Sequence, residues 1–372
     1  MVNVDKKNRK IAIVVDWLVG FSGAEFVLKS LLDLYEDAEV FTVVDFLSDS
    51  DRERLGNPKI HTSFIQKLPK AKTQYRQYLA LMPLAVEQFD LSGFSLVISS
   101  SHAVAKGVIT GPQQTHISYV HSPIRYAWDL QHQYLNESGL TKGVKSWLAR
   151  LILHYIRMWD LRTGPGVDHF VANSHFIAKR VTKVYRREAQ VIHPPVDCAE
   201  FTAETKKEEF YFTSSRLVPY KKINLIIEAF NAMPDKHLVV SGDGPDREKL
   251  ERIAGPNVEM KGHLSFQQYK EHLSKAKGFI HMALEDFGIV MVEALASGTP
   301  VIALAQGGSV DIVKDGENGL LIEEQTPEGL IEGVRRFEET QWPSPEHIAE
   351  TAEQFDISIF KDKIKRLVEE TS

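Results

Sequence analysis

Two glutamates, Glu285 and Glu293, stand with seven residues between them in Glu285-Asp286-Phe287-Gly288-Ile289-Val290-Met291-Val292-Glu293. An apolar run over 278–283 precedes them, and Ala294-Leu295-Ala296-Ser297-Gly298 follows. The pattern predicts a strand, a loop holding Glu285, a helix N-terminus at Phe287 to Ile289, and Glu293 about one turn further in. Unpaired N–H groups and the positive dipole end suit a phosphate there, and Gly288 lets a ligand approach the backbone. Two carboxylates beside a phosphate make chemical sense where each accepts hydrogen bonds from neutral hydroxyls, as sugar and ribose rings supply. Taken alone, Glu293 would be a helix acid complementing the dipole and Glu285 a solvated loop residue.

A second group follows another apolar run: Thr213-Ser214-Ser215-Arg216-Leu217-Val218-Pro219-Tyr220-Lys221-Lys222. A planar guanidinium and an ammonium five residues apart can clamp a diphosphate from two sides and neutralise a leaving group, whereas in isolation they would be surface ion-pair partners. Other phosphate and metal signatures are absent. Gly20-Phe21-Ser22-Gly23 lacks the Gly-x-Gly-x-x-Gly order, and no Walker loop occurs. The one Asp-x-Asp, Asp49-Ser50-Asp51, reads as a solvated helix start, and no Cys/His cluster has zinc spacing. The expectation is no metal and no cofactor, the positive clamp supplying the charge that Mg²⁺ supplies in metal-assisted phosphate chemistry.

These residues need elements to hold them. In the first half, Val- and Ile-rich runs at 11–15, 40–44, 95–99, 116–120, 169–172 and 191–193 alternate with amphipathic stretches, as buried parallel strands do between crossover helices. Pro194-Pro195-Val196-Asp197 cannot continue a helix and reads as a linker. A second series runs over 210–213, 238–240, 258–260, 279–282, 301–304 and 320–322, with helical stretches such as 223–230, and 357–370 adds a last helix. The expected class is α/β, two doubly wound units with a ligand at the carboxyl ends of their sheets.

In this order, Arg216 with Lys221, Gly242-Asp243-Gly244-Pro245, the glutamate pair, Gly298-Thr299-Pro300-Val301-Ile302-Ala303 and Asp315-Gly316-Glu317-Asn318-Gly319-Leu320-Leu321 resemble the retaining GT-B glycosyltransferases of family four. Gly20-Phe21-Ser22-Gly23-Ala24-Glu25 resembles that family's glycine loop, with Gly20 and Gly23 on the donor. Tyr119-Val120-His121-Ser122-Pro123-Ile124-Arg125-Tyr126 resembles a subgroup associated with mannosyltransfer in O-antigen and exopolysaccharide synthesis.

The resemblance implies two Rossmann-like domains facing across a cleft. Residues 1–197 would form the acceptor side and 198–356 the nucleotide-sugar side, with 357–372 packing back on the first. It assigns Glu293 to the ribose, Arg216 and Lys221 to the diphosphate with Lys222 as substitute, and Glu285 with the Phe287–Ile289 backbone to the sugar. The base falls near Gly262, His263 and Leu264, and His121 beside the sugar, where residue type alone would suggest a buried structural histidine. The implied reaction is retaining hexosyl transfer by front-face attack, without a covalent nucleophile. The donor is GDP-mannose first and a UDP-sugar second, and the acceptor a saccharide or polyprenyl-linked glycan. Two other functions fit the same architecture, a sugar-nucleotide epimerase and a non-catalytic nucleotide-sugar binder.

Length and charge complete the expectation. The 372 residues, 43% apolar and 25% charged, suit two globular domains. The single cysteine, Cys198, excludes an internal disulfide, and the polar stretch Lys6 to Lys10 and lack of any 18-residue apolar run argue against export and membrane spanning. A cytoplasmic protein is expected. Net charge is +5 over 1–197 and −11 over 198–372. The segments 59–86 and 138–159 hold nine basic residues and no acid, interleaved with Phe64, Tyr75, Tyr78, Leu79, Leu81, Met82, Trp147, Leu148, Leu151, Ile152 and Trp159. That mixture fits an anionic membrane surface, giving a peripheral protein of the cytoplasmic face. The alternative places the apolar residues in the core, and no motif favours nucleic acid.

Overall fold

The computed structural model describes residues 10–371. The polar stretch from Lys6 to Arg9 lies outside them. Short β-branched runs bounded by loops form strands whose side chains are buried on both faces, as at Ile11–Val15 and Leu96–Ser101. Seven such strands pair in parallel: β1 Ile11–Val15, β2 Glu39–Thr42, β3 Ile60–Thr62, β4 Leu96–Ser101, β5 Thr115–Val120, β6 His169–Ala172 and β7 Ala189–Val191. Their order is β3-β2-β1-β4-β5-β6-β7. Six more, β8 Phe210–Ser214, β9 His237–Ser241, β10 Val258–Gly262, β11 Gly278–His281, β12 Val301–Leu304 and β13 Gly319–Ile322, pair in parallel as β10-β9-β8-β11-β12-β13.

Both orders reverse direction once, between β1 and β4 and between β8 and β11. At such a switch point the loops leaving two adjacent strands run to opposite faces and leave a crevice at their carboxyl ends. The loops after β1, β4, β8 and β11 are therefore where ligand chemistry belongs. They carry Gly20, His102, Arg216 and Glu285 in turn.

The chain divides into two compact units, Met1–His193 with Lys361–Ser372, and Pro194–Phe360. In the first unit the core joins Val14, Phe41, Val97, Ile124 and Trp159. The second packs Tyr211, Phe230 and Phe337 on one side of its sheet and Phe212, Phe279 and Leu295 on the other. The last helix, Ile357–Glu370, buries Phe360, Ile364, Leu367 and Val368, one stripe at helical spacing.

The structure alters three expectations. Ile60–Thr62 is a strand, too short at three residues for a periodic signal. The strand expected at 191–193 is instead 189–191, because pairing with β6 sets its register while prolines follow at 194 and 195. The acid-free segments divide: Tyr75, Met82 and Trp159 join the core, whereas Phe64, Leu81, Trp147, Leu148 and Leu151 are exposed. Asp49 does open a helix, Asp49–Arg54, capped by the Ser48 hydroxyl.

Candidate active site

In the second unit, β8 and β11 are hydrogen-bonded neighbours, so their outgoing loops lie together. Leu217, 1% exposed, anchors the first loop, and its N–H donates to the Asp243 carbonyl at 2.9 Å. Gly242 and Gly244 allow this contact, since a Cβ on either would fall 1.8 Å from the Ser215 oxygen or 2.3 Å from that of Leu217. The following loop is braced likewise by Gly307 and Gly308. The Gly308 N–H donates to the Glu285 carbonyl at 2.9 Å, and a Cβ there would lie 2.3 Å from Phe287 Cα. Two glycine pairs thus fix the backbones that carry Arg216 and Glu285.

Lys221 and Glu285 are brought into direct contact, the ammonium donating to the carboxylate, with both side chains mostly buried. Arg216 is exposed and forms no ion pair among the described residues. Lys222 takes the left-handed conformation, φ 58°, at the start of the helix Ile223–Asn231. The helix Ile289–Ala296 begins at Gly288, φ 99°, where a Cβ would meet Met291 Cε at 2.4 Å. Phe287 is buried against Phe355, so only its backbone remains for a ligand. Gly262 is buried with φ 66°, His263 exposed and Leu264 half-buried, at the end of β10.

Glu293 is half-buried in the second turn of its helix, its Oε2 accepting from the Tyr269 hydroxyl at 2.5 Å. Burial raises its carboxyl above the usual range, and the Tyr269 bond offsets part of that. Tyr269 is held by the helix Phe266–Lys275, which Ser265 and Gln268 cap reciprocally. His281, at the end of β11, is 4% exposed. Its Nε2 lies 4.0 Å from Glu285 and has no hydrogen-bond partner among the described residues. Burial lowers its pKa to about 4, so it is neutral at physiological pH.

In the first unit, Gly20 has open space where a Cβ would stand and no left-handed φ, so neither packing nor backbone conformation requires glycine there. Gly23 opens the helix Gly23–Leu34, whose cap pairs Ser22 with Glu25. His121 follows β5. Its Nε2 lies 2.7 Å from Ser100 Oγ, and burial, then the neighbouring His102, lower its pKa to about 3.

Sequence reasoning missed the groups beside it. The Asp16 carboxylate, 1% exposed, accepts from the N–H groups of His102 (2.6 Å), Ala103 (3.1 Å), Val104 (2.5 Å) and Ala105 (2.7 Å). It also meets His102 Nδ1 at 2.9 Å. Burial opposes the charge on Asp16, but His102 and the N–H groups prevail and hold it at about 2. Burial likewise opposes a charge on His102, and Asp16 prevails, raising it. Asp16, Glu25, Ser100 and His102 line one small cavity with Trp17. An aspartate directly after an apolar strand was the available signal for Asp16. The buried Lys106–Asp160 pair, joined by Thr163, Tyr185 and Trp128, had none.

Residues 21–200 match the family model described as Glycosyltransferase Family 4, and residues 199–355 that of Glycosyl transferases group 1. The lipopolysaccharide core biosynthesis glycosyltransferase LpsE of Rhizobium meliloti is 26% identical over 46% of this chain and 54% of its own length. A GDP-mannose-dependent monoacylated alpha-(1-6)-phosphatidylinositol monomannoside mannosyltransferase of Corynebacterium glutamicum is 31% identical over 46% of this chain and 53% of its own. The chain thus spans about half the length of the curated relatives it matches. The crystal structure of Anabaena HepE in complex with UDP and glucose superposes with a TM-score of 0.69 at 18% identity, covering 97% of this chain and 100% of that one. Two Rossmann-like units with parallel sheets of seven and six strands make this a GT-B fold.

Proposed function

We propose that this GT-B chain is a glycosyltransferase that moves a hexose from a nucleotide-diphosphate sugar with retention of anomeric configuration. One observation carries the proposal: Lys221 and Glu285 meet at the carboxyl ends of β8 and β11, beside Arg216 and the helix N-terminus at Gly288. Cations and N–H groups suit a diphosphate, while carboxylates suit hydroxyls. A nucleotide sugar offers both.

In this reading Arg216 and Lys221, with Lys222 adjacent, stabilise charge that develops on the leaving diphosphate as the glycosidic bond breaks. Glu285 and the backbone of Phe287–Ile289 orient the sugar hydroxyls, and Glu293 takes the ribose pair. The base lies along Gly262, His263 and Leu264 through backbone contacts. The leaving phosphate receives the acceptor's proton, so no side chain acts as nucleophile and no metal is needed. His121, uncharged down to about pH 3, is a hydroxyl partner and not a phosphate counter-charge.

GDP-mannose is the proposed donor and a lipid-linked or saccharide acceptor of cell-surface polysaccharide synthesis the proposed recipient. The GDP-mannose dependence stated for the Corynebacterium relative and the lipopolysaccharide role of the Rhizobium one support this. A UDP-sugar is the second reading, favoured by the UDP in the HepE structure. The test is a panel of GDP- and UDP-sugars with released nucleotide and product anomer identified. Release of GDP and an α-linked mannoside is expected. An isomerised sugar nucleotide, or binding without turnover, would overturn the transferase assignment.

A further inference from the structure

The first unit's longest helix, Gly143–Thr163, turns an apolar stripe to solvent. Its inner side buries Leu153, Ile156 and Trp159 in the core. Its outer side exposes Val144 (82%), Trp147 (65%), Leu148 (50%), Leu151 (49%), Tyr155 (45%) and Met158 (62%). Steps of 3, 1, 3, 4 and 3 keep these six in one row along a helix about 31 Å long. No fold-internal need explains a tryptophan, a methionine and two leucines left in water, because the opposite face already supplies the core.

Charge says what kind of surface would cover the row. Lys142, Lys145 and Arg150 are exposed beside it, and 138–159 holds no acid. The helix's one acid, Asp160, is buried against Lys106. The other acid-free segment adjoins the helix, since Tyr78 and Leu79 pack into the same core cluster as Ile152, with Lys67, Lys70, Lys72 and Arg76 exposed. The fold therefore gathers two separate basic segments onto neighbouring surface.

We infer that the outer face of Gly143–Thr163 is a docking surface for an anionic lipid bilayer, its apolar row immersed at headgroup depth and its cations on lipid phosphates. Trp147 and Tyr155 have the amphipathic rings that settle at such an interface. A second copy of the chain is a poorer occupant. A two-fold helix seam would set the basic flank that carries Lys142, Lys145 and Arg150 against the same flank of the other copy, with no acid to separate the charges. No helix among the described residues is long and apolar enough to cross a membrane, so contact with the bilayer would be peripheral. The inference rests on the lipid-linked-acceptor reading for its purpose, while its chemistry is independent of it.

Co-sedimentation of the full chain with phosphatidylglycerol:phosphatidylcholine vesicles, and with phosphatidylcholine alone, is the test. Binding to the anionic vesicles at low salt, lost at high salt, is expected. Lys142→Gln with Lys145→Gln and Arg150→Gln should weaken it about a hundredfold, at roughly fivefold per charge near the surface. Trp147→Gln with Leu148→Gln and Leu151→Gln should weaken it at least as much. All six positions are exposed, so circular dichroism and Tm should stay unchanged in both variants. Wild-type protein left in the supernatant at low salt, or equal binding to neutral vesicles, would overturn the inference. So would a dimer in analytical ultracentrifugation that the Trp147 variant dissociates. Nucleotide release with a water-soluble acceptor and no vesicles tests the transferase reading separately. Vesicle binding without turnover would defeat that reading alone, and turnover without vesicle binding this inference alone.

Discussion

Replacing Glu293 by Gln pulls apart two consequences of one buried carboxylate. Burial holds its folded-state pKa above the ordinary 4.5, and the Tyr269 hydroxyl only partly offsets the shift. For an acid raised in this way, the fold favours the neutral form. Its contribution is intact below 4.5 and is lost as pH rises through the folded value. An amide escapes that cost and still accepts from Tyr269, so the variant should have the higher Tm at pH 8 and match the wild type near pH 4. Donor binding should move oppositely. Hydrogen bonds to a charged acceptor contribute about 1.5–3 kcal/mol and those to a neutral one about 0.5–1.5 kcal/mol. Two ribose hydroxyls moved from carboxylate to amide would then lose about 2–3 kcal/mol, a rise of roughly 30- to 150-fold in donor KM. Thermal melts at both pH values and initial rates against donor concentration measure the two effects. A lower Tm at pH 8 with an unchanged KM would refute the reasoning and leave Glu293 as a helix acid.

Arg216→Ala combined with Lys221→Ala should lower kcat far more than it weakens binding of the free nucleoside, because both cations act on the diphosphate, whose charge grows as the bond breaks, and the nucleoside carries no phosphate. Isothermal titration beside single-turnover rates checks this, and unaltered kcat would contradict it. Activity should persist in excess EDTA, whereas a strict Mg²⁺ requirement would defeat the charge-clamp reading. Asp16→Asn should destabilise the first unit by about 2 kcal/mol at pH 7, since the carboxyl sits at about 2 against 3.8 when free. That stabilisation is present above 3.8 and lost as pH falls through about 2, so the urea-midpoint gap should narrow on acidification. A constant gap would assign the effect to packing.

The sequence was most legible where local signals and burial coincide. All six strands of the second sheet and the bounds of Ile357–Glu370 follow from periodicity, and the glycine at Gly288 marks a helix start seen at that residue. Three residues of β3 are too few to show a period, and β7 takes its register from β6. Asp16 and His102 are 86 residues apart in the chain and become neighbours only because β1 pairs with β4, with Val15 opposite Ser100. The glycine pair Gly307–Gly308 shows its purpose only once the Glu285 loop is packed on it. Trp147 and Trp159 read alike as members of a basic, aromatic helix, and only the three-dimensional face separates an exposed one from a buried one.

The first unit leaves off at His193 and resumes at Lys361, with a consequence for synthesis on the ribosome. The intervening stretch takes roughly 10–30 s to translate at ~5–20 residues per second. Throughout that time the seven-stranded unit lacks Ile364, Leu367 and the Lys361 that pairs with Asp33 at 2.9 Å. The six-stranded unit, continuous from Pro194 to Phe360, lacks nothing of its own once those residues have emerged. The half of the protein made first is the half finished last, and it must wait incomplete, its cations already in place, while its successor folds.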